Sequence, residues 1–165
     1  MNCGPTGSTH ERLHSAASRR YNLARTPMPA LDRLHDAVCH ALIKDGWTIT
    51  HDPFTLRVGG RSLYVDLGAE KLIAAERGPR RIAIEVKTFV GPSLIADLQQ
   101  AVGQFAMYED VLAQVEPGRE LFLAVPDAVL DTVLTDEIGA LMLRRRIPRV
   151  VAFSPASEEV SRWIP

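Results

Sequence analysis

The sequence has few cysteines and few lysines, and it lacks a long apolar segment. Its two cysteines, Cys3 and Cys39, form no set with metal-ligand spacing, so a structural zinc site is not expected. Nothing in the cysteine usage favours an oxidising compartment. No apolar run approaches the roughly 18 residues that a membrane span requires. We therefore expect a cytoplasmic protein that has no membrane partner.

The chain also lacks a strong excess of charge of either sign. Its 165 residues carry 19 basic and 20 acidic side chains, which excludes a protein that coats DNA by bulk positive charge. The balance has two parts, because residues 1–27 contain four arginines and one glutamate, whereas residues 28–165 are net acidic. We predict a flexible N-terminal tail over residues 1–27 and one folded domain over residues 28–165.

The apolar spacing predicts an α/β domain with the element order αβββαβαβ. Helical spacing runs from Pro29 to Asp45 and again from Leu94 to about Gln114, and a third helix is predicted from Asp127 to Arg146. Strands are predicted near Trp47 to Ile49, Leu63 to Ala69, Arg81 to Phe89, Glu120 to Val125 and Arg149 to Phe153.

Strand alternation places three chemically useful side chains on one side of the second and third strands. Asp66 faces away from the apolar side of its strand, and so do Glu85 and Lys87. If both apolar sides meet the core, two carboxylates and an ammonium converge. Such a pair of carboxylates suits Mg²⁺, and the lysine can orient or deprotonate a water or stabilise a phosphorane. The alternative is a solvated hairpin face without chemistry.

Asp66 followed by Glu85-Val86-Lys87 resembles the motif of PD-(D/E)XK nucleases, and Gln104 to Tyr108 resembles the Gln-x-x-x-Tyr motif of their RecB-like branch. The resemblance implies a restriction-endonuclease-like core, a central mixed β-sheet flanked by helices. It also implies Asp66 and Glu85 as ligands of Mg²⁺ or Mn²⁺, Lys87 and Gln104 as catalytic residues, and Tyr108 as support. Alternatively, Tyr108 is a core aromatic and Gln104 a solvated neighbour.

Four longer strings resemble the XisH family, the excision controlling factors of the fdxN element of cyanobacteria. They are Ala41 to Pro53, Asp66 to Lys71, Gly91 to Ser93 and Trp163 to Pro165. This resemblance spans about residues 28–165. It implies a role in DNA element excision or a related rearrangement, together with a companion protein called XisI.

Two further side chains are candidate support residues. Glu70 becomes an extra ligand if the second strand continues past Gly68, and is otherwise a surface glutamate. His35, on the first helix, either approaches the centre or is a partly buried core histidine.

Two arginine clusters are candidate contacts for DNA phosphates. The first cluster, before the third strand, comprises Arg77, Arg80 and Arg81. The second, near the last strand, comprises Arg144, Arg145 and Arg146, with Arg149 shortly after them. Such clusters are also typical of solvated loops and of helix C-termini, where they complement the helix dipole.

The leading hypothesis is a Mg²⁺-dependent DNA endonuclease acting in DNA rearrangement. The alternative is a non-catalytic accessory protein that binds DNA or XisI and regulates a separate recombinase. The sequence does not distinguish an endonuclease from an exonuclease, and it leaves the formation of a homo-oligomer open.

Overall fold

The computed structural model describes residues 30–72, 79–145 and 148–165, with only the backbone for 30–32, 67–72 and 79. The predicted tail over residues 1–27 lies outside these ranges, and so do Arg77 and Arg146. The elements are α1 Ala30–Lys44, β1 Thr48–His51, β2 Phe54–Val58, β3 Arg61–Val65, β4 Leu67–Leu72, β5 Pro79–Val86, α2 Leu94–Val115, β6 Arg119–Pro126, α3 Asp127–Val129, a π-helical segment Leu130–Leu134, α4 Glu137–Arg144, β7 Val150–Ser154 and β8 Glu159–Ile164.

A six-stranded mixed sheet with the order β1-β4-β5-β6-β7-β8 forms the centre of the domain. Strands β5, β6 and β7 run parallel, and the other neighbouring pairs are antiparallel. Strands β2 and β3 form a separate antiparallel pair. The prediction of an α/β domain with a central mixed sheet flanked by helices is therefore confirmed. None of the described helices is both long and apolar enough to cross a membrane.

Two apolar cores lie on opposite faces of the sheet. Helix α1 buries Val38 and Leu42 against the face that carries Ile82 and Ile84 of β5. Helix α2 buries Phe105 and its neighbours against the other face, which carries Ala83. Because both faces are covered, β5 is buried on both sides, and the alternative of a solvated hairpin face is wrong.

The predicted second strand, Leu63 to Ala69, is in fact two strands that separate at Asp66. Strand β3 pairs with β2, whereas β4 pairs with β1 and β5. Consequently Val65 joins the core under α2, while Ile84 joins the core under α1, so the two apolar sides do not meet the same core. Strand β2 is not among the predicted strands; its signal is the turn at Gly59 and Gly60, both with positive φ, which joins β2 to β3 as a hairpin.

Two further elements differ from the prediction near the C-terminus. Strand β8, which pairs with β7, was not predicted. The helix predicted from Asp127 to Arg146 is interrupted because Asp136 caps a new helix, with its side chain accepting the N–H of Gly139 at 2.7 Å. Gly139 is required there, since a Cβ would lie 2.3 Å from the carbonyl oxygen of Val133.

Candidate active site

The antiparallel register of β4 and β5 places Asp66 beside Glu85. Leu67 pairs with Ile84, so Asp66, one residue earlier, lies next to the residue that follows Ile84. The Oδ2 atom of Asp66 accepts the backbone N–H of Val86 at 2.7 Å. One carboxylate oxygen of Asp66 is thus used to hold the end of β5, and the other is left as a potential ligand.

Glu85 is one of the few charged residues in the described core, with 5% of its surface exposed. Its Oε1 atom lies 3.1 Å from the Nζ atom of Lys87. Burial raises the pKa of Glu85, the negative charge of Asp66 raises it further, and Lys87 opposes both effects. The two carboxylates therefore lie close enough to interact, and Lys87 compensates for only part of their charge.

Lys87 follows the last residue of β5 but keeps its place in the sheet. Its backbone N–H donates to the carbonyl oxygen of Ala124 in β6 at 2.9 Å. Its side chain is about one quarter exposed, at 23%. The ammonium group is thus held beside Glu85 at the edge where the parallel strands β5 and β6 end.

Helix α2 adds Gln104 and Tyr108, which are four residues apart and share one helix face. Tyr108 is buried in the apolar core under α2, so the alternative of a core aromatic describes its packing, and Gln104 lies one helical turn before it. Burial raises the pKa of Tyr108, and the charges of Glu85 and Asp66 add to the effect. The structure therefore brings together Asp66, Glu85, Lys87, Gln104 and Tyr108.

Among the described side chains, two buried oxygens have no hydrogen-bond partner, Oε2 of Glu85 and Oε1 of Gln104. A buried acceptor without a donor is costly unless a ligand satisfies it. Both atoms are oxygens, and carboxylate and amide oxygens are the ligand type that Mg²⁺ and Mn²⁺ prefer. The carboxylates of Asp66 and Glu85 therefore fit a hard divalent cation.

A cleft of about 300 Å³ opens at Asp66 and Glu85, and it is lined by Asp66, by residues 85–91, and by Asp97 and Gln100 of α2. Asp97 and Gln100 are not among the predicted site residues. Asp97 accepts the N–H of Gly91 through Oδ2 at 2.8 Å, and this bond fixes the loop that forms one wall of the cleft. The available signal was the Gly91-Pro92-Ser93 turn, whose Ser93 caps α2 with Asp97 in its first turn.

Of the predicted support residues, His35 is not part of this group, and the Glu70 side chain lies outside the described residues. The Nε2 atom of His35 donates to Oδ2 of Asp52, in the turn after β1, at 3.0 Å, and His35 lies near Cys39 of α1. Helix α1 covers the opposite face of the sheet from Gln104 and Tyr108. Glu70 lies within β4, paired with Arg81 and Thr48, and its side chain is outside the described residues.

The described arginines of the two predicted clusters lie away from the cleft. Arg80 makes two hydrogen bonds of 2.9 Å with Glu120, and Arg81 lies 3.5 Å from Glu116. Both arginines are at the start of β5, roughly 13–16 Å along the strand from Glu85. Arg144 and Arg145 are exposed at the end of α4, from which the chain returns to the edge where β7 begins.

The comparisons with known proteins agree on one family. The family described as XisH protein matches residues 28–161. A crystal structure of an fdxN element excision controlling factor protein from Anabaena variabilis is 35% identical, with a TM-score of 0.71, and the match covers 81% of this chain and 99% of that one.

A second crystal structure, of an XisH family protein from Nostoc punctiforme PCC 73102, is also 35% identical. Its TM-score is 0.73, and the match covers 81% of this chain and 100% of that one. No curated protein matches the chain. The family resemblance seen in the sequence is thus confirmed, and the chain belongs to the XisH family.

Proposed function

We propose that this protein is a metal-dependent nuclease that hydrolyses DNA phosphodiester bonds as part of DNA element excision. The observation that carries the proposal is the buried, unpartnered Oε2 atom of Glu85, beside Asp66 and Lys87 in the wall of an open cleft. A purely structural role gives no reason to bury a carboxylate oxygen without a donor at such a position.

Asp66 and Glu85 would hold the metal ion, with the Gln104 amide oxygen as a further acceptor. Each carboxylate has one oxygen engaged within the protein, Oδ2 with Val86 and Oε1 with Lys87. Bound Mg²⁺ or Mn²⁺ lowers the pKa of a water ligand and stabilises the negative charge of a phosphodiester under attack. Two protein carboxylates suffice for Mg²⁺, which usually keeps several waters.

Lys87 supplies the positive charge of the protein at the cleft. Its ammonium group orients the attacking water by hydrogen bonding, or donates to a non-bridging phosphate oxygen as negative charge develops there. Glu85 and the Ala124 carbonyl hold the side chain and the backbone of Lys87 respectively. Tyr108 is buried on α2, close enough for the charges of Glu85 and Asp66 to raise its pKa.

The element order supports assignment of the core to the PD-(D/E)XK superfamily. Along the chain, α1 is followed by β1, by β4 directly after Asp66, by β5 with Glu85, by α2 and by β6. This matches the α-β-β-β-α-β order of the superfamily once the β2–β3 pair is treated as an insertion. Asp66 then takes the place of the motif aspartate, and Glu85 with Lys87 takes the place of the (D/E)XK pair.

The second candidate function is a non-catalytic accessory protein that binds DNA or an XisI-like companion and regulates a recombinase. It is favoured by the description of the Anabaena relative, which is a controlling factor. It accounts for the family role but leaves the paired carboxylates and Lys87 without a use.

The test is a cleavage assay on supercoiled and branched DNA with Mg²⁺ or Mn²⁺, with and without an XisI-like companion. Parent protein is compared with Lys87→Ala and with a matched control, Lys44→Ala, whose lysine is exposed on α1 and bonded to the Ser157 carbonyl. We expect cleavage by the parent and by Lys44→Ala, and at least a 100-fold loss in Lys87→Ala, as for removal of a group that stabilises transition-state charge.

Equal cleavage by the parent and by Lys87→Ala would contradict the proposed site. Absence of cleavage under every condition, together with metal-independent binding of DNA or of the companion, would favour the accessory function.

A further inference from the structure

We propose that the β2–β3 hairpin binds a single strand of DNA and leads it to the cleft at Asp66. That the bound DNA strand leads to the cleft rests on the nuclease function proposed above. The binding itself is independent of cleavage and is measured without a metal ion.

The hairpin has one buried face and one exposed face. Phe54 and Leu56 on β2 and Val65 on β3 point into the core under α2, and the Arg119 guanidinium lies 4.5 Å from the centre of the Phe54 ring. The cross-strand pairs of the other face are Thr55 with Tyr64 and Arg57 with Ser62. Since the buried face fixes the hairpin to the domain, its outer face is a rigid platform.

Tyr64 is the aromatic residue of that outer face, and 60% of its surface is exposed. It lies two residues before Asp66, at the root of the hairpin and beside the cleft. Exposed aromatic rings beside basic residues are typical of single-strand binding surfaces, because an unpaired base can stack on the ring. Bases within a duplex are already stacked on both sides and are not available for such a contact.

Positive charge lies at the other end of the hairpin. A recess of about 320 Å³ at the tip is lined by residues 57–62, and it includes the exposed Arg57 and Arg61. A Cβ on Gly59 or Gly60 would meet nothing within 4 Å, so the turn is open to a phosphate group. Within the described chain, neither arginine has an ion-pair partner.

Charge complementarity favours DNA as the occupant of this surface. Residues 54–65 contain two arginines and no aspartate or glutamate, although the folded domain as a whole is net acidic. By contrast, Arg80 and Arg81 are already paired with glutamates. The five-residue strands span about 16 Å. A phosphate contact at Arg57 and a stacked base at Tyr64 lie on the outer face, on one path that ends at Asp66. Arg61 pairs with Val58 on the other face and adds positive charge at the turn.

Binding is tested by fluorescence anisotropy with the full-length protein in EDTA, using labelled oligo(dT) and a labelled duplex. The variants are Tyr64→Ala, the double variant Arg57→Ala with Arg61→Ala, and the conservative control Tyr64→Phe. A charge-matched control is the double variant Arg33→Ala with Arg162→Ala, which removes two exposed arginines outside the hairpin and outside both arginine clusters. Circular dichroism and thermal unfolding confirm that each variant folds, which is expected because the replaced side chains are exposed.

We expect Tyr64→Ala to weaken oligo(dT) binding by about 5- to 150-fold, which corresponds to about 1–3 kcal/mol of base stacking. Tyr64→Phe should bind like the parent, because phenylalanine keeps the ring. Loss of both hairpin arginines should reduce the slope of log affinity against log salt by about 1.4, at about 0.7 per phosphate contact. The double variant at Arg33 and Arg162 should bind like the parent.

Three results would overturn the hairpin proposal: no oligo(dT) binding by the parent, equal affinity in the parent and the hairpin variants, or an equal loss of duplex and single-strand affinity in Tyr64→Ala. Failure of the hairpin proposal is distinguishable from failure of the proposed nuclease function. If the hairpin variants weaken DNA binding but the parent does not cleave DNA in Mg²⁺, only the nuclease proposal is contradicted. If the hairpin variants bind and cleave DNA like the parent, only the hairpin proposal is contradicted.

Discussion

Asp66 accepts the backbone N–H of Val86, so the carboxylate of one strand is positioned by the strand that carries Glu85. This bond does two things. It satisfies a backbone donor at the end of β5, and it fixes the negative charge that raises the pKa of Glu85.

Replacement of Asp66 should separate these two effects. Asp66→Asn keeps an oxygen that can accept the Val86 N–H but removes the charge, whereas Asp66→Ala removes both. We expect the pKa of Glu85 to fall in both variants, because the Asp66 charge raises it. Only Asp66→Ala should lose about 1–3 kcal/mol of stability, since it leaves a partly buried N–H unpaired. Carboxyl NMR titration and urea unfolding measure the two quantities, and an unchanged Glu85 titration in Asp66→Asn would contradict the assignment.

The raised pKa of Glu85 predicts a pH dependence of stability. The folded protein holds the Glu85 proton more tightly than the unfolded chain, so the free energy of unfolding should fall as pH rises from the ordinary glutamate value through the folded pKa. In Glu85→Gln, the free energy of unfolding should depend less on pH in that window. Above the window, the variant should gain stability relative to the parent. The difference between parent and variant in urea unfolding across this pH range is the measurement. The prediction is contradicted if the unfolding free energy of the parent, minus that of Glu85→Gln, rises with pH.

Mg²⁺ or Mn²⁺ should remove the destabilisation that the ionised Glu85 causes. A ligand that binds only the folded state at 100 times its Kd stabilises by about 2.7 kcal/mol. We expect a metal-dependent rise of Tm in the parent, increasing with pH as Glu85 ionises, and little rise in Glu85→Gln. Thermal unfolding with and without metal measures this, with Glu120→Gln as the control because Glu120 is paired with Arg80 at the other end of β5. An equal rise in the parent and Glu85→Gln would place the metal elsewhere.

The loop that forms one wall of the cleft should depend on the lack of a side chain at Gly91. A Cβ there would lie 2.3 Å from Asp97 Oδ1, so Gly91→Ala must displace Asp97 and weaken its bond to the Gly91 N–H. We expect a loss of about 1–3 kcal/mol in unfolding free energy. The matched control is Gly103→Ala within α2, where a Cβ meets nothing within 4 Å and a gain of about 0.5–1 kcal/mol is expected. The prediction is refuted if the unfolding free energy changes in the same direction in Gly91→Ala and Gly103→Ala.

Arg80 should contribute to folding and not to DNA binding. Arg80→Ala removes a bidentate pair with Glu120 that is more than a third exposed, so the expected loss of stability is below about 1 kcal/mol. Anisotropy with labelled DNA should give the parent affinity. A clear loss of affinity with unchanged stability would restore the first arginine cluster as a DNA contact.

Much of the site could be predicted because its spacing is local. Glu85 and Lys87 are two residues apart on one strand, Gln104 and Tyr108 are four apart on one helix, and periodicity alone assigns each pair to a face. The antiparallel pairing of β4 with β5 then followed from the order of the elements.

The remaining features depend on long-range packing. The chain changes its pairing partner at Asp66: β3 pairs with β2 before it, and β4 pairs with β5 after it. His35 could not be placed from its helix alone, because its partner Asp52 comes from a later turn. The basic residues Arg80 and Arg81 gave no sign of their glutamate partners, which lie more than thirty residues further along the chain.

The hydrogen bond from the Lys87 N–H to Ala124 gives strand β6 control over the candidate active site. None of the described residues that line the cleft belongs to β6, yet the register of β6 against β5 sets how far the ammonium group reaches beyond the sheet. Volume-conserving substitutions in the buried strand 119–126 that leave the protein folded should therefore reduce the DNA cleavage proposed above. Function in this domain would then be encoded partly in a strand that never touches the substrate.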